Sequence, residues 1–480
     1  MTLKLLLGIL VIVKKVTFKE FFMAREKFGS RLGFLLISAG CAIGIGNVWK
    51  FPYITGQYGG AAFVLIYLFF LAIFGIPLMT MEFAVGRASR KSCASSFKTL
   101  EPKGTKWHLA SYFGMAGNYL LMMFYTNVAG WMLSYVFKMV KGDFVAATAP
   151  QIEAAYDGML ANPLPQMGWM VLATLLGFGI CSLGLQKGVE RITKVMMVCL
   201  LVLMAALAIN SITLDGAGEG IKFYLVPDFT KLAENGIFNA IYAAMSQALF
   251  TLSLGIGSMA IFGSYVSKDR TLLSESINIT LLDTGVALMA GLIIFPACFS
   301  FGVNPGAGPG LIFETLPNIF SKMAGGRFWG ALFFVFLSFA ALSTLIAVFE
   351  NILSFAMDLW NWSRKKAVVV NIIAIIILSV PCVLGFNLLS GVQPLGAGST
   401  ILDLEDFIVS YNLLPLGCLV YLFFCTRKYG WGFKNFVNEA NTGKGIKFPM
   451  WLRPYVTYIL PVIVLAVFVL GYIATFTDIL

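Results

Sequence analysis

The chain has 480 residues, of which 59% are hydrophobic and 12% are charged, where a typical soluble domain carries about 25% charge. A water-facing surface cannot be built from so few charges, so the two or three soluble domains that length alone would suggest are excluded and the main solvent is lipid. The net charge of +11 comes from bases scattered in short loops, not gathered on one face with interleaved aromatics, which argues against a nucleic-acid surface.

Residues 3–13 (LKLLLGILVIV) form an apolar run followed by Lys14 and Lys15. It is too short to span a bilayer and lacks a small-residue cleavage site. Two readings stand: an interfacial helix, or an upstream start with Met23 as the true initiator. Beyond it, eleven runs reach the roughly 20 apolar residues a crossing needs: 32–55, 61–86, 109–138, 168–186, 192–213, 236–265, 272–302, 328–361, 367–388, 402–426 and 454–476. The expected fold is therefore an all-α polytopic membrane protein with eleven transmembrane helices. Residues 1–31 precede the first run, ten runs follow within 32–426, and 427–480 hold a loop with the eleventh helix. The Gly/Pro-rich stretch 304–325 reads as a structured loop capping one face.

Lys and Arg crowd every second loop: Arg25, Lys27 and Arg31, then Arg87, Arg90 and Lys91 with the bases that follow, then the groups at 187–194, 268–270, 364–366 and 427–447. The positive-inside bias makes the N-terminus cytoplasmic and, with an odd span count, the C-terminus external. The eight cysteines sit in or beside apolar runs with no CxxC spacing, and His108 is the single histidine. Imidazole-built metal chemistry and a Ser-His-Asp triad therefore have almost nothing to use. Glu82, Asp283 and Glu350 are too scattered in the sequence to suggest the converging acids of an enzyme.

Two spans are interrupted. The first reads SAGCAIGIGNVWKFP, with Gly40, Gly44, Gly46 and then Asn47 at mid-depth; the sixth reads SQALFTLSLGIGSM, with Gln247, Thr251, Ser253, Gly255 and Gly257. Each mid-helix glycine costs about 1 kcal/mol of helix propensity against Ala. Close helix packing through small residues is the bland explanation. Paired breaks five spans apart instead point to discontinuous helices in an inverted-repeat transporter, whose freed backbone lines a substrate cavity. Gly44-Ile45-Gly46 is not a dinucleotide fingerprint, since no strand precedes it and Trp49 stands at the third glycine position.

The motifs RLGF…GNVWKFP…GG, IPLMTMEFAVGR, FYTNVAGW, SQALFTLSLGIG and AALSTLIAVFE closely resemble the bacterial branch of the neurotransmitter:sodium symporter family, from about Ala24 to the C-terminus. The resemblance implies a leucine-transporter-like core of two inverted five-helix repeats, 32–213 and 236–426, with discontinuous helices one and six. It implies two sodium ions. The first would be held by the Ala42 carbonyl, Asn47, Thr251 and a residue of span seven. Counting back from Pro296 without gaps gives Leu282, and with a one-residue gap gives Asp283, the residue chosen because an acid in the membrane centre is functional by default. The second would be held by the carbonyls of Gly40, Ile43 and Ala340 and the hydroxyls of Ser343 and Thr344.

The same resemblance implies a substrate site formed by Cys41, Ala42, Ile45, Gly46, Leu121, Tyr125, Phe250, Thr251, Ser253, Ile256, Thr344 and Val348. Gly44 replaces the Asp of the monoamine branch, so an amino acid with its own carboxylate is expected, held by Tyr125. The apolar lining implies a neutral, hydrophobic or aromatic side chain. Gly255 and Gly257 would leave room for a large one. Lys50 with Asp406 resembles the outer gate under the lid Phe250; Arg25, Phe28, Tyr265 and Asp358 resemble the inner gate. The expected function is sodium-coupled import of such an amino acid across the cell (inner or plasma) membrane, independent of chloride because Asp283 would replace the anion. The alternatives are the same fold carrying a betaine-like zwitterion, or a non-transporting amino-acid sensor. Partners are the small-molecule substrate and the lipid bilayer; no nucleic acid is expected, and the sequence leaves the oligomeric state unknown.

Overall fold

A backbone immersed in hydrocarbon must satisfy every N–H and C=O internally, which leaves helices or closed barrels. The computed structural model describes residues 28–234, 236–303 and 310–476, and these take the helical solution, with no strand among them. The main elements are α1 (Arg31–Ala42), α2 (Gly46–Gln57), α3 (Ala61–Ser89), α4 (Trp107–Lys141), α5 (Pro163–Ser182), α6 (Leu185–Ile212), α7 (Ile237–Thr251) and α8 (Ser258–Tyr265). There follow α9 (Leu272–Ser300), α10 (Gly326–Trp360), α11 (Arg364–Leu384), α12 (Ile401–Thr426) and α13 (Met450–Phe476). Among the described residues nine helices are long and apolar enough to cross a membrane, or ten when the pair α1 and α2, bent by 57°, counts as one. The pair α7 and α8 adds a second interrupted segment, broken over Leu252–Gly257.

α10 lies at the centre. The most apolar stretch of its 35 residues is 78% buried, against 28% in α13. It runs along α4 and touches α1, α5 and α6, while α8 packs on α3, α9 on α1 and α6, and α13 on α12. The outer faces of α5, α6, α11 and α13 expose Leu172, Leu175, Val195, Val202, Val369, Ile377, Val462 and Val469. Exposure to water would cost about 25 cal/mol per Å² of such surface, whereas lipid imposes no such cost.

Local chemistry sets the ends. Ser30 caps α1 by accepting from the Gly33 amide at 3.0 Å. α4 stops at Gly142, whose φ of +92° turns the chain out of the helix. Several boundaries differ from expectation: α5 begins five residues early, because Pro163 suits a first helical turn that needs no N–H, and Ser363 caps α11, which draws Arg364 into the helix.

The connections hold more structure than the hydropathy pattern indicated. Ala149–Ala161, Ala217–Leu225, Phe229–Glu234, Leu316–Lys322 and Phe433–Ala440 are helical, so most of the described part of 304–325 is helix rather than loop. Arg87, read from sequence as a loop base, is fully buried. It donates to Glu439 Oε1 at 2.7 Å and to the Arg270 carbonyl at 2.8 Å, fastening the end of α3 to two later connections. The run at 3–13 lies outside the described residues.

Within the second break Ser253, Gly255 and Gly257 have φ of +51°, +98° and +77°. A Cβ on Gly255 would overlap the Leu414 carbonyl, and one on Gly417 would overlap the Gly255 carbonyl. The space freed by Gly255 is thus taken by α12 and is not substrate room, which corrects the sequence expectation. Gly255→Ala should therefore destabilise the protein by about 2–4 kcal/mol through overpacking and strained φ. A thermal melt of the purified variant in detergent checks this; an unchanged midpoint would contradict the backbone contact.

Candidate functional site

The two breaks face each other, and each leaves backbone groups that side chains must answer. At the second, Glu82 of α3 supplies both carboxylate oxygens. Oε1 accepts from the Gly255 amide and Oε2 from the Met259 amide at 3.3 Å. These amides belong to the break and the first turn of α8, where orphan donors and the positive helix end favour an anion. Sequence reading noted Glu82 only as a stray acid; its signal was a carboxylate inside the apolar run IPLMTMEFAVGR. Across the breaks, Ser253 Oγ donates to the Cys41 carbonyl at 3.3 Å and Gln247 Nε2 to the Gly46 carbonyl at 3.1 Å. Gln247 was also missing from the predicted site.

A first oxygen cluster forms around α1 and α10. Ser343 Oγ lies 3.0, 3.4 and 2.9 Å from the carbonyl oxygens of Gly40, Ile43 and Ala340. Thr344 Oγ1 lies 3.2, 3.5 and 3.4 Å from those of Gly40, Cys41 and Ile43. Each hydroxyl carries one proton and can donate to one carbonyl at a time. The surplus lone pairs converge on a buried point, an arrangement that could hold a hard monovalent cation. Gly40 cannot bear a side chain without crowding, since its Cβ would lie 3.3 Å from Met197, Ser343 and Thr193.

A second cluster lies between α2, α7 and α9. Asn47 Nδ2 donates to Asp283 Oδ1 at 2.8 Å and to the Asp283 carbonyl at 3.1 Å. Thr251 Oγ1 is 3.2 Å from Asn47 Oδ1 and 3.1 Å from Asp283 Oδ2. Asp283 is fully buried, and Leu282 only partly so. One hydroxyl proton again faces two acceptors, beside one carboxylate. Among the described residues no group of three or more His, Cys, Asp or Glu is placed to hold a metal.

Beside both clusters is a narrow cavity lined by Cys41, Ala42, Gly44, Ile45, Gly46, Leu121, Tyr125, Phe250, Thr251, Ser253, Ile256, Thr344, Val409 and Leu414. Its free volume is only about 20 Å³, close to what a single water needs, so the walls stand closed on one another. Eleven of the twelve expected substrate residues are brought together here. Val348 is not: it is fully buried further along α10; the lining also includes Val409 and Leu414 of α12, a helix that widens to a π-helix over Phe407–Leu413. Tyr125 Oη accepts from the Ile45 amide at 3.2 Å. A Cβ on Gly44 would stand 2.7 Å from both Tyr125 Oη and Thr344 Oγ1, and one on Gly46 would meet the Phe250 ring at 2.8 Å.

Above the cavity, the Lys50 ammonium sits 4.4 Å from the Phe250 ring centre and 3.9 Å from Asp406, which also accepts from Ser410 Oγ at 2.6 Å. Below, Phe28 packs edge-on to Tyr265 with ring centres 5.5 Å apart. Asp358 pairs with Lys91 at 3.7 Å and accepts from the Ser92 amide at 2.7 Å. Arg25, its expected partner, lies outside the described residues. Tyr265 Oη donates to Glu350, which is itself clamped by Arg364 at 2.7 and 3.0 Å. That buried pair was not foreseen, since the two residues belong to different runs.

The family model for the sodium:neurotransmitter symporter family matches residues 25–151 and 160–478. The chain belongs to the sodium:neurotransmitter symporter family. It is 34% identical to a sodium-dependent transporter named YhdH from Bacillus subtilis, over 92% of this chain and 96% of that one. It is 27% identical to the sodium-dependent serotonin transporter of Drosophila melanogaster, over 93% and 76% of the respective chains. The crystal structure of MhsT in complex with L-phenylalanine aligns with a TM-score of 0.83 and 38% identity, covering 93% of this chain and all of the other. The symporter is accordingly a multi-pass, sodium-dependent membrane transporter, of a family of transporters and not of enzymes.

Glu82→Ala in this symporter should cost about 2–5 kcal/mol, because two buried amides lose their acceptor, while Glu82→Gln keeps one acceptor and should cost less. Melting temperatures of the two purified variants check the order; equal values would contradict the capping role.

Proposed function

We propose that this symporter couples sodium entry to the import of a neutral, hydrophobic or aromatic amino acid by alternating access. The observation that carries the substrate class is Gly44: with Tyr125 and Thr344 against it, the chain has no acid to pair a free amine and no room for one. A ligand must then bring its own carboxylate, and Tyr125 with the amides of the first break offers it a binding end. The rest of the lining is uncharged and mostly apolar, which suits an apolar side chain, and the neighbour crystallised with L-phenylalanine supports the aromatic end of that range.

Two sodium sites are part of the proposal. Gly40, Ile43, Ala340, Ser343 and Thr344 would hold one ion; the Ala42 carbonyl, Asn47, Thr251 and Asp283 would hold the other, next to the substrate carboxylate. A carboxylate shared between substrate and ion makes each affinity depend on the other, which is coupling in thermodynamic terms. Asp283 supplies fixed negative charge in this shell, so no external chloride is needed. Eleven spans arranged as two inverted five-helix repeats, with a cytoplasmic N-terminus and an external C-terminus, complete the reading. Lys50, Phe250 and Asp406 would close the outer path, and Phe28, Tyr265 and Asp358 with Arg25 the inner one.

In proteoliposomes with an inward sodium gradient, labelled leucine or tryptophan uptake should be inhibited by large neutral amino acids and not by lysine or glutamate; no inhibition by any amino acid would refute the substrate class. Thr344→Ala and Asn47→Ala should each raise the sodium concentration for half-maximal uptake about tenfold or more, the effect of roughly 1.4 kcal/mol or more per lost ligand. Replacing chloride by gluconate should leave the rate unchanged, and collapse of uptake would refute the role given to Asp283.

A further inference from the structure

Glu405 lies next to the gate residue Asp406 in the first turns of α12, yet it is only 3% exposed and neither carboxylate oxygen has a hydrogen-bond partner. A one-residue step turns a side chain by about 100° around a helix. Asp406 bonds Ser410 and faces Lys50, while Glu405 faces the thiol of Cys382 on α11. Asn127 of α4 approaches the same thiol, Nδ2 to Sγ 3.7 Å, and its own Oδ1 is buried and unpartnered. One turn on, Trp131 carries an unpartnered indole N–H and packs on Phe386, one turn beyond Cys382. Cys382 is the titratable group that reaches Glu405 from a neighbouring helix. On its own segment the nearest are Asp403, bound to the Thr400 amide and hydroxyl, and Asp406. No cation faces the carboxylate among the described residues.

An ionised carboxylate with no counter-ion and no donor beyond the weak S–H of Cys382 is strongly disfavoured in such an interface, whereas a neutral acid needs neither. We propose that Glu405 is a proton-binding site at the junction of α4, α11 and α12, loaded while the outer gate is closed and discharged to external water when α12 parts from α2. On discharge the carboxyl O–H bond breaks, its electron pair stays on the carboxylate and the proton passes to water. The linkage to substrate rests on the transport function proposed above: binding that closes the gate takes up a proton from outside, so acid favours the closed state.

The test uses the purified full chain in detergent and L-phenylalanine as probe. Infrared spectra at neutral pH should show the carbonyl band of a protonated carboxylic acid that disappears in both Glu405→Gln and Glu405→Leu. Addition of sodium and L-phenylalanine should cause proton uptake by the wild type that both variants lack while still binding. The wild-type dissociation constant should tighten by up to about tenfold per pH unit on acidification, and that of Glu405→Gln should stay flat. An infrared band unaffected by either substitution would overturn the proposal without touching the transport reading. Unchanged proton uptake in the variants would overturn the gate linkage. If L-phenylalanine does not bind at all, the substrate reading fails, and the infrared comparison still decides whether Glu405 holds the proton.

Discussion

Everything distinctive in this molecule follows from breaking a helix where no water can repair it. In hydrocarbon an unsatisfied backbone group costs several kcal/mol, so a break at Ile43–Ile45 and another at Leu252–Gly257 oblige the surrounding side chains to answer the freed groups. Glu82 answers amides; Ser343, Thr344, Ser253 and Gln247 answer carbonyls. The answer is deliberately incomplete in one respect. Around Gly40, Ile43 and Ala340, and again around Asn47 and Asp283, acceptors outnumber protons, and an oxygen-lined space with surplus lone pairs is what a desolvated alkali cation requires.

The same breaks fix the substrate cavity. Small residues at 44 and 46 let Tyr125, Thr344 and Phe250 close on the backbone, while positive φ at Ser253, Gly255 and Gly257 turns the chain between α7 and α8. α12 takes part by pressing its backbone against Gly255 and sending Val409 and Leu414 into the wall. Gate and cavity are thereby joined, since Asp406 and Val409 stand on one helix less than a turn apart. Lys50, set over the ring of Phe250 and near Asp406, ties the lid to that helix.

Much of this was legible in the sequence, and the limits have physical causes. Span positions follow hydropathy, which depends only on local composition. The paired glycine breaks announce themselves because mid-helix glycines are costly. Asp283 could be chosen over Leu282 because an acid in lipid requires a reason. What stayed hidden depends on who meets whom across the bundle. Val348 was expected in the cavity by analogy but is not part of its lining, which includes Val409 and Leu414 of α12. Gly255 reads as room in one dimension and is filled by the Leu414 backbone in three. Glu350 with Arg364 and Arg87 with Glu439 are ion pairs between separate elements, invisible to any window along the chain. Helices in the connections, such as Ala149–Ala161, are too polar to register as spans.

The account rests on the converging oxygens binding sodium together with the substrate. The most direct test is to titrate purified protein with L-phenylalanine at several sodium concentrations, and with sodium at several L-phenylalanine concentrations. The account predicts that sodium lowers the dissociation constant of the amino acid and that the amino acid lowers that of sodium by the same factor, as linkage requires. Amino-acid binding indifferent to sodium would contradict it.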